Sequence, residues 1–306
     1  MSAATTAAPA SARSPIRSPG RRPGRRRNVV AHVFLGVLVL YFLVPIWWLF
    51  VASTKDTEGL FSGSSGAMWF DRNFNLVANL QDLFTYNGGE YLRWLGNSLL
   101  YAISGGLGAT AISVLAGYGF AKYKFPGRDL TFALLLGAVM VPMTALVIPT
   151  FILLSNLKLT DTVWAVILPS LLSPFGVYLM RVYTADAVPD ELLDAARVDG
   201  AGELRTFFQV ALPLLRPALV TVLLLSVVGT WNNYFLPLAM LSTEKLYPLT
   251  VGIGLWSQLA SSNNGGGHSL WSLIIVGSFV SIIPLVVAFL TLQKYWQGGL
   301  SLGSLK

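Results

Sequence analysis

The sequence predicts an all-α polytopic membrane protein with six transmembrane helices, and three observations carry that prediction. Of the 306 residues, 54% are hydrophobic and only 11% are charged, against about a quarter charged in a typical soluble domain. The apolar residues gather in six runs, at approximately Val29–Ala52, Leu95–Ala121, Leu130–Ser155, Val163–Met180, Ala218–Leu241 and Leu270–Leu292. These meet or approach the roughly 20 residues needed to cross a bilayer core about 30 Å thick. Their interiors hold no Asp, Glu, Lys or Arg.

The charges outside the runs orient them. With the amino terminus in the cytoplasm, sixteen of the 21 basic residues fall inside, among them Arg13, Arg27, Lys122, Arg181, Arg197 and Lys294. Only Lys55, Arg72, Arg93, Lys158 and Lys245 fall outside. The cytoplasmic bias of Lys and Arg therefore predicts a multi-pass protein of the cell (inner) membrane with both termini cytoplasmic. The net charge of +7 is then a matter of topology, and nucleic acid is not an expected partner. Residues 1–28, rich in Ala, Ser, Pro and Arg, read as a disordered basic cytoplasmic tail attracted to anionic membrane lipid. Residues 29–306 form the membrane domain. The first apolar run is far longer than the roughly 7–15 residues of a signal peptide core, so a retained helix is expected.

Between the first two spans, Ser53–Arg93 reads as an external segment with a Gly/Ser loop at Ser62–Gly66 and a short surface helix over Phe74–Phe84, whose Leu76, Val77, Leu80 and Leu83 recur at helical spacing. Ser242–Ser269 reads as an external loop containing Asn263-Asn264-Gly265-Gly266-Gly267, flanked by Trp256 and Trp271 at the membrane interface. The spans carry Pro45, Pro142, Pro149, Pro169, Pro174, Pro237 and Pro284, each able to kink its helix. Gly105-Gly106-Leu107-Gly108 and Gly117-Tyr118-Gly119 in the second span permit close helix approach.

The segment Pro189–Pro217, PDELLDAARVDGAGELRTFFQVALPLLRP, is charged and amphipathic where its surroundings are apolar. Pro189 suits the start of a helix, and Asp190 and Glu191 put negative charge at its positive end. Leu192, Ala195 and Ala196 share a face, and Gly200 is expected to stop the helix in a left-handed conformation. Leu204, Phe207, Phe208, Ala211, Leu212 and Leu215 then form an apolar stripe on a second helix. An interfacial hairpin lying on lipid is the plain alternative. The small Ala195 and Ala196, beside acidic Asp190, Glu191 and Asp194, fit a protein groove better than anionic headgroups.

This segment resembles the cytoplasmic coupling loop of binding-protein-dependent ABC importer permeases: Glu-Ala-Ala, three residues, Asp-Gly, nine residues, then Ile-x-Leu-Pro. Here Asp194-Ala195-Ala196, Asp199-Gly200 and Val210-Ala211-Leu212-Pro213 stand at those intervals. Asp194 replaces the usual Glu with a side chain one methylene shorter. Asn97-Ser98-Leu99, Trp231-Asn232-Asn233-Tyr234-Phe235-Leu236-Pro237-Leu238 and Leu292-Gln293-Lys294 through Gly299-Leu300 are similar to motifs of the carbohydrate branch, close to the smaller maltose-type permease. The resemblance implies a coupling loop between helices 4 and 5, with Asp194, Ala195, Ala196, Asp199, Gly200, Leu212 and Pro213 facing the ATPase. It implies as partners a second permease subunit, an ATP-binding subunit dimer, an extracytoplasmic solute-binding protein and a sugar substrate.

Two readings remain for Asn232 and Asn233, set between Trp231 and Tyr234. Their amides could hydrogen-bond sugar hydroxyls beside aromatic faces, or bond another helix. Asn97 reads as structural and His32 as interfacial. No phosphate loop ending in Gly-Lys-Ser/Thr is present, so ATP hydrolysis is expected on separate subunits, and the chain is expected to need no cofactor. Cysteine is absent and only two histidines occur, so no catalytic group, no thiolate metal site and no intramembrane enzyme are expected. Charge-free spans also argue against a proton- or sodium-coupled secondary carrier. An ABC permease for a non-sugar solute is the nearer alternative.

Overall fold

The computed structural model describes residues 29–62, 66–262 and 270–302, and every regular element among them is helical. The expected basic tail at residues 1–28 and the Asn263–Gly267 stretch lie outside the described residues. The chain divides into two units, Met1–Ile46 and Trp47–Lys306. The described part of the first is most of helix α1 (Val29–Ser53), apolar on every side and containing Pro45.

In the second unit, α2 (Thr57–Ser62) and α3 (Leu76–Thr85) follow, the latter two residues later than its Leu pattern suggested and seated through buried Leu83. The second span is α4 (Glu90–Lys122), 33 residues long. The third run is not one straight span. It consists of α5 (Arg128–Val139), a short 3-10 turn from Met143, and α6 (Val147–Asn156), bent by 100°. Pro142 sits at the break, where it lacks a backbone donor and disfavours helical geometry at Val141. The fourth span pairs α7 (Trp164–Ser170) with α8 (Pro174–Ala187). Ser173 caps α8 by accepting from the Gly176 N–H at 3.2 Å, with Pro174 at the first helical position.

After α8 come α9 (Asp190–Val198), α10 (Glu203–Thr206), one π turn over Phe207–Ala211 and α11 (Leu212–Leu214). The fifth span, α12 (Arg216–Trp231), follows after an 80° bend. It stops at Trp231, not at Leu241 as the apolar run suggested. A separate α13 (Phe235–Met240) continues after a break at Asn232–Tyr234. The cause is Pro237: it offers no N–H to the Asn233 carbonyl four residues earlier. That carbonyl accepts instead from Thr250 Oγ1 at 2.8 Å.

The last connecting segment, Ser242–Ser269, differs from expectation too. It holds α14 (Leu249–Ser261), an apolar helix too short to span, before α15 (Leu270–Leu302). Trp256 does not face outward. It is buried, 4.8 Å between ring centroids from Trp94. Among the described residues four helices are long and apolar enough to cross a membrane, and the number reaches six when each of the two bent pairs is taken as one span.

Helix α4 is the centre of the packing, with α8 and α12 against it. A Cβ on Gly105 would lie 2.8 Å from the Ser170 Cβ, and one on Gly117 would lie 2.8 Å from the Arg181 backbone nitrogen. Hydrogen in place of a methyl group lets these helices touch. The first half of α4 also grips residues 244–249. Trp94 Nε1 donates to the Glu244 carbonyl, Asn97 Nδ2 to those of Lys245 and Tyr247, and Tyr101 Oη to that of Leu246. Ser98 Oγ accepts from the Leu249 N–H. Asn97 is therefore structural, as its sequence context suggested.

Candidate functional site: the charged hairpin and the break in the fifth span

Helix α9 starts directly after Pro189 and ends at a tight turn. The Gly200 N–H donates to the Arg197 carbonyl and the Ala201 N–H to that of Ala196, both at 3.0 Å. Gly200 adopts φ +80°, the left-handed region that side chains with a Cβ disfavour. An added Cβ would meet open space, so glycine serves the backbone here and not the packing. The buried residue of α9 is Leu193, which joins Val114, Met180 and Phe207 in one apolar cluster. Sequence periodicity placed Leu192, Ala195 and Ala196 on one face, offered to a protein groove. In the fold Leu192 and Ala195 are exposed and Ala196 is half-buried.

The stripe expected on the second helix divides in the same way. Phe207, Ala211 and Leu215 are buried, while Leu204 and Phe208 are exposed, Leu212 is half-buried and Pro213 is exposed. The covered face of this helix, which includes the π turn over Phe207–Ala211, is narrower than the stripe: Phe207, Ala211 and Leu215 recur every four residues, and Leu204 and Phe208 are left uncovered. The outcome is an exposed apolar surface next to the Gly200 turn, with Val198 88% and Leu204 76% exposed. Asp194 borders this surface and accepts from Arg197 Nη1 at 2.9 Å, while Arg197 Nε donates to Glu203 Oε1 at 2.9 Å. Asp194 thus has a partner inside the hairpin. The Arg197 and Tyr123 hydrogen bonds hold the Glu203 carboxyl below its ordinary range, and Glu203 holds Arg197 more firmly protonated.

At the break in the fifth span the four aromatic and amide residues part company. Trp231 is buried in the core with Trp94 and Trp256. Asn232 is exposed, and Asn233 and Tyr234 are half-buried. Asn233 Oδ1 lies 3.4 Å from the Leu236 N–H, at the start of α13. Non-helical backbone within a membrane-spanning run persists where it is packed in protein or faces a water-filled cavity. Thr250 was not visible as a partner from the sequence, because its contact crosses 17 residues and follows no periodicity. Among the described residues no group of three or more His, Cys, Asp or Glu is placed to hold a metal ion.

Residues 109–297, from the middle of α4 through α15, match the family described as the binding-protein-dependent transport system inner membrane component. The chain belongs to this family. It is 34% identical over 280 residues to the arabinooligosaccharides transport system permease protein AraQ of Bacillus subtilis (strain 168), covering 91% of this chain and 96% of that one. AraQ of Halalkalibacterium halodurans is 35% identical, with 86% and 90% covered. The sn-glycerol-3-phosphate transport system permease protein UgpE of Pectobacterium atrosepticum is 29% identical, with 89% and 95% covered. A chain from the crystal structure of a bacterial ABC transporter that imports the acidic polysaccharide alginate superposes with a TM-score of 0.74 at 24% identity, covering 88% of this chain and 95% of that one. That likeness fixes the fold. This permease component is therefore a multi-pass membrane protein, and its hairpin lies within the matched residues.

Proposed function

We propose that this permease forms half of the translocation pathway of an ATP-driven ABC importer, and that its cargo is a neutral sugar or oligosaccharide delivered by an extracytoplasmic solute-binding protein. A second permease subunit supplies the other half, and a dimer of separate ATP-binding subunits hydrolyses ATP. Both termini and the hairpin face the cytoplasm, in keeping with the sixteen-to-five distribution of basic residues. The observation that carries the reading is the hairpin itself: a short helix, a left-handed Gly200 and an exposed apolar rim, a shape that fits a groove on another protein. Asp194, Ala195, Ala196, Asp199, Gly200, Leu212 and Pro213 form the coupling element.

Trp231, Asn232, Asn233 and Tyr234 belong to the pathway, with exposed Asn232 the residue that meets cargo and Trp231 a buried support. A neutral cargo suits a broken span that offers amides and a phenol and whose apolar run holds no Lys or Arg, since an anion crossing there would have no counter-charge. The AraQ relatives point the same way. The test is uptake into proteoliposomes holding the permease with its second subunit, ATPase and binding protein. ATP-dependent uptake of arabino-oligosaccharides in preference to glycerol 3-phosphate is expected. Uptake of the phosphate ester alone would overturn the sugar assignment, and ATP-independent uptake would overturn the importer.

A further inference from the structure

Each helix of the hairpin is bonded to the same turn of α4, not only to its own chain neighbours. Lys122, the last residue of α4, donates from Nζ to Asp190 Oδ1 at 2.6 Å, at the start of α9. Its side chain is only 8% exposed, whereas that of Asp190 is 78% exposed. The lysine stem is thus packed in place and the carboxylate comes to it. Tyr123, the next residue, donates from Oη to Glu203 Oε2 at 2.7 Å, at the start of α10. Arg197 closes the triangle by bonding both Asp194 and Glu203.

The ring of Tyr118, one turn earlier on α4, packs edge-on against Tyr123 at 5.8 Å and Phe207 at 4.9 Å. Burial and the Glu203 bond push the Tyr123 hydroxyl up to about 12, so it stays a donor throughout the physiological range. By contrast, the covalent path from the hairpin to α12 passes through the π turn, Pro213 and the 80° bend. These are features at which helices flex. The polar contacts to α4 bypass that joint.

We propose that Lys122 and Tyr123 are positioning residues that strap the hairpin to the cytoplasmic end of the second span, so that hairpin and α4 move as one body while the joint before α12 absorbs the angle. The far end of α4 holds residues 244–249 through five hydrogen bonds. A displacement of the hairpin would accordingly reach the external side along one unbroken 33-residue helix. This rests on the coupling reading given above and adds the route by which the motion leaves the hairpin.

The test uses the assembled complex with its ATPase subunits. Spin labels go on Lys124→Cys and Gly202→Cys, both exposed positions in a chain without native cysteine. The distance between the labels should agree between the nucleotide-free and vanadate-trapped states to within about 2 Å, well below the roughly 5 Å of one helical turn. In the Tyr123→Phe/Glu203→Gln double variant, which keeps the ring packing on Tyr118, the distribution should broaden. The ratio of sugar taken up to ATP hydrolysed should fall several-fold at unchanged assembly.

A label distance that shifts by a helical turn in the unaltered strap would overturn the proposal, and this arm needs no strap variant. So would a double variant that retains both the narrow distribution and the transport ratio. Failure of the ATPase subunits to assemble with the permease would remove the coupling reading and the strap together. Normal ATPase assembly with a shifting distance would remove the strap alone.

Discussion

Asp161 grips Thr243 with both carboxylate oxygens: Oδ1 accepts from the Thr243 N–H at 2.9 Å and Oδ2 from its hydroxyl at 2.6 Å. Oδ1 also accepts from the Ser242 N–H at 2.8 Å, and the Asp161 N–H donates to the Met240 carbonyl at 2.8 Å. One residue in the connection between α6 and α7 therefore fixes the chain where it leaves α13, although Asp161 sits at φ +57°.

These hydrogen bonds hold the Asp161 carboxyl below the usual aspartate value of 3.8. A depressed folded-state value means the carboxylate stabilises the fold above the ordinary range, and that this stabilisation is lost as pH falls through the folded value. The detergent-solubilised protein should show a falling Tm as pH drops below about 4. Asp161→Ala, which loses the acceptors and tolerates the left-handed backbone poorly, should lower Tm at pH 7 and flatten that part of the acid limb. Asp161→Asn, at ease with positive φ, should lie between. Equal acid profiles for all three would show the clamp to be inert.

Gly200→Val should leave the helices inserted yet uncouple transport. The side chain has room, so the penalty is backbone strain, about 1–2 kcal/mol for a Cβ in the left-handed region and more for a β-branched residue. The turn should reopen and take Val198 and Leu204 away from each other. Binding-protein-stimulated ATP hydrolysis by the assembled complex should fall, and Gly200→Asn should retain more of it than Gly200→Val. Normal stimulation in the valine variant would remove this turn from coupling.

Asn232→Leu and Asn233→Leu should now behave differently. Asn232 is exposed at the break, so its loss should lower uptake several-fold at normal assembly, in line with about 0.5–1.5 kcal/mol for a neutral hydrogen bond. Asn233 is half-buried at the start of α13, and its replacement should reduce assembled complex as well. Uptake normalised to assembled complex decides the matter, and unchanged values for both would take them out of the pathway.

External thiol labelling checks the orientation. A membrane-impermeant maleimide added to intact cells should modify Lys245→Cys and spare Gly202→Cys. The opposite pattern would invert the topology.

Gly117→Ala should destabilise the membrane domain. The new methyl group would press on the Met180 Cβ and lie 2.8 Å from the Arg181 nitrogen, an overpacking that typically costs about 1–3 kcal/mol. Gly119→Ala, two residues on and facing open space, is the matched control. Thermal inactivation in detergent should separate the two.

The apolar helices and the hairpin were legible in the sequence because they rest on local rules: run length and the glycine stop at Gly200. The errors have physical causes. Pro237 forbids a hydrogen bond to Asn233, but an apolar run does not reveal whether a proline kinks its helix or divides it. Phe207 and Phe208 both fit the apolar stripe of the second hairpin helix, and the choice between them is made by Tyr118 of α4, whose ring lies 4.9 Å from that of Phe207. Trp256 reads as an interfacial tryptophan by position, and only the Trp94 ring 4.8 Å away makes it a core residue. Leu193 was passed over because its neighbour Leu192 fits a helical repeat equally well, and the choice between them is made by Val114 and Phe207 in other helices.

The contacts along α4 also govern how the protein can change over generations. A side chain appearing at Gly108 would press on the tip of Leu171, and a second substitution that shortens Leu171 could restore the fit. At Gly117 the obstacle includes the main chain of Met180 and Arg181, which no exchange of side chains can move. The first kind of position permits paired drift between two helices, and the second does not. The α4–α8 seam at Gly117 should therefore resist both natural divergence and laboratory redesign, while the contact of Gly108 with Leu171 can be renegotiated two residues at a time.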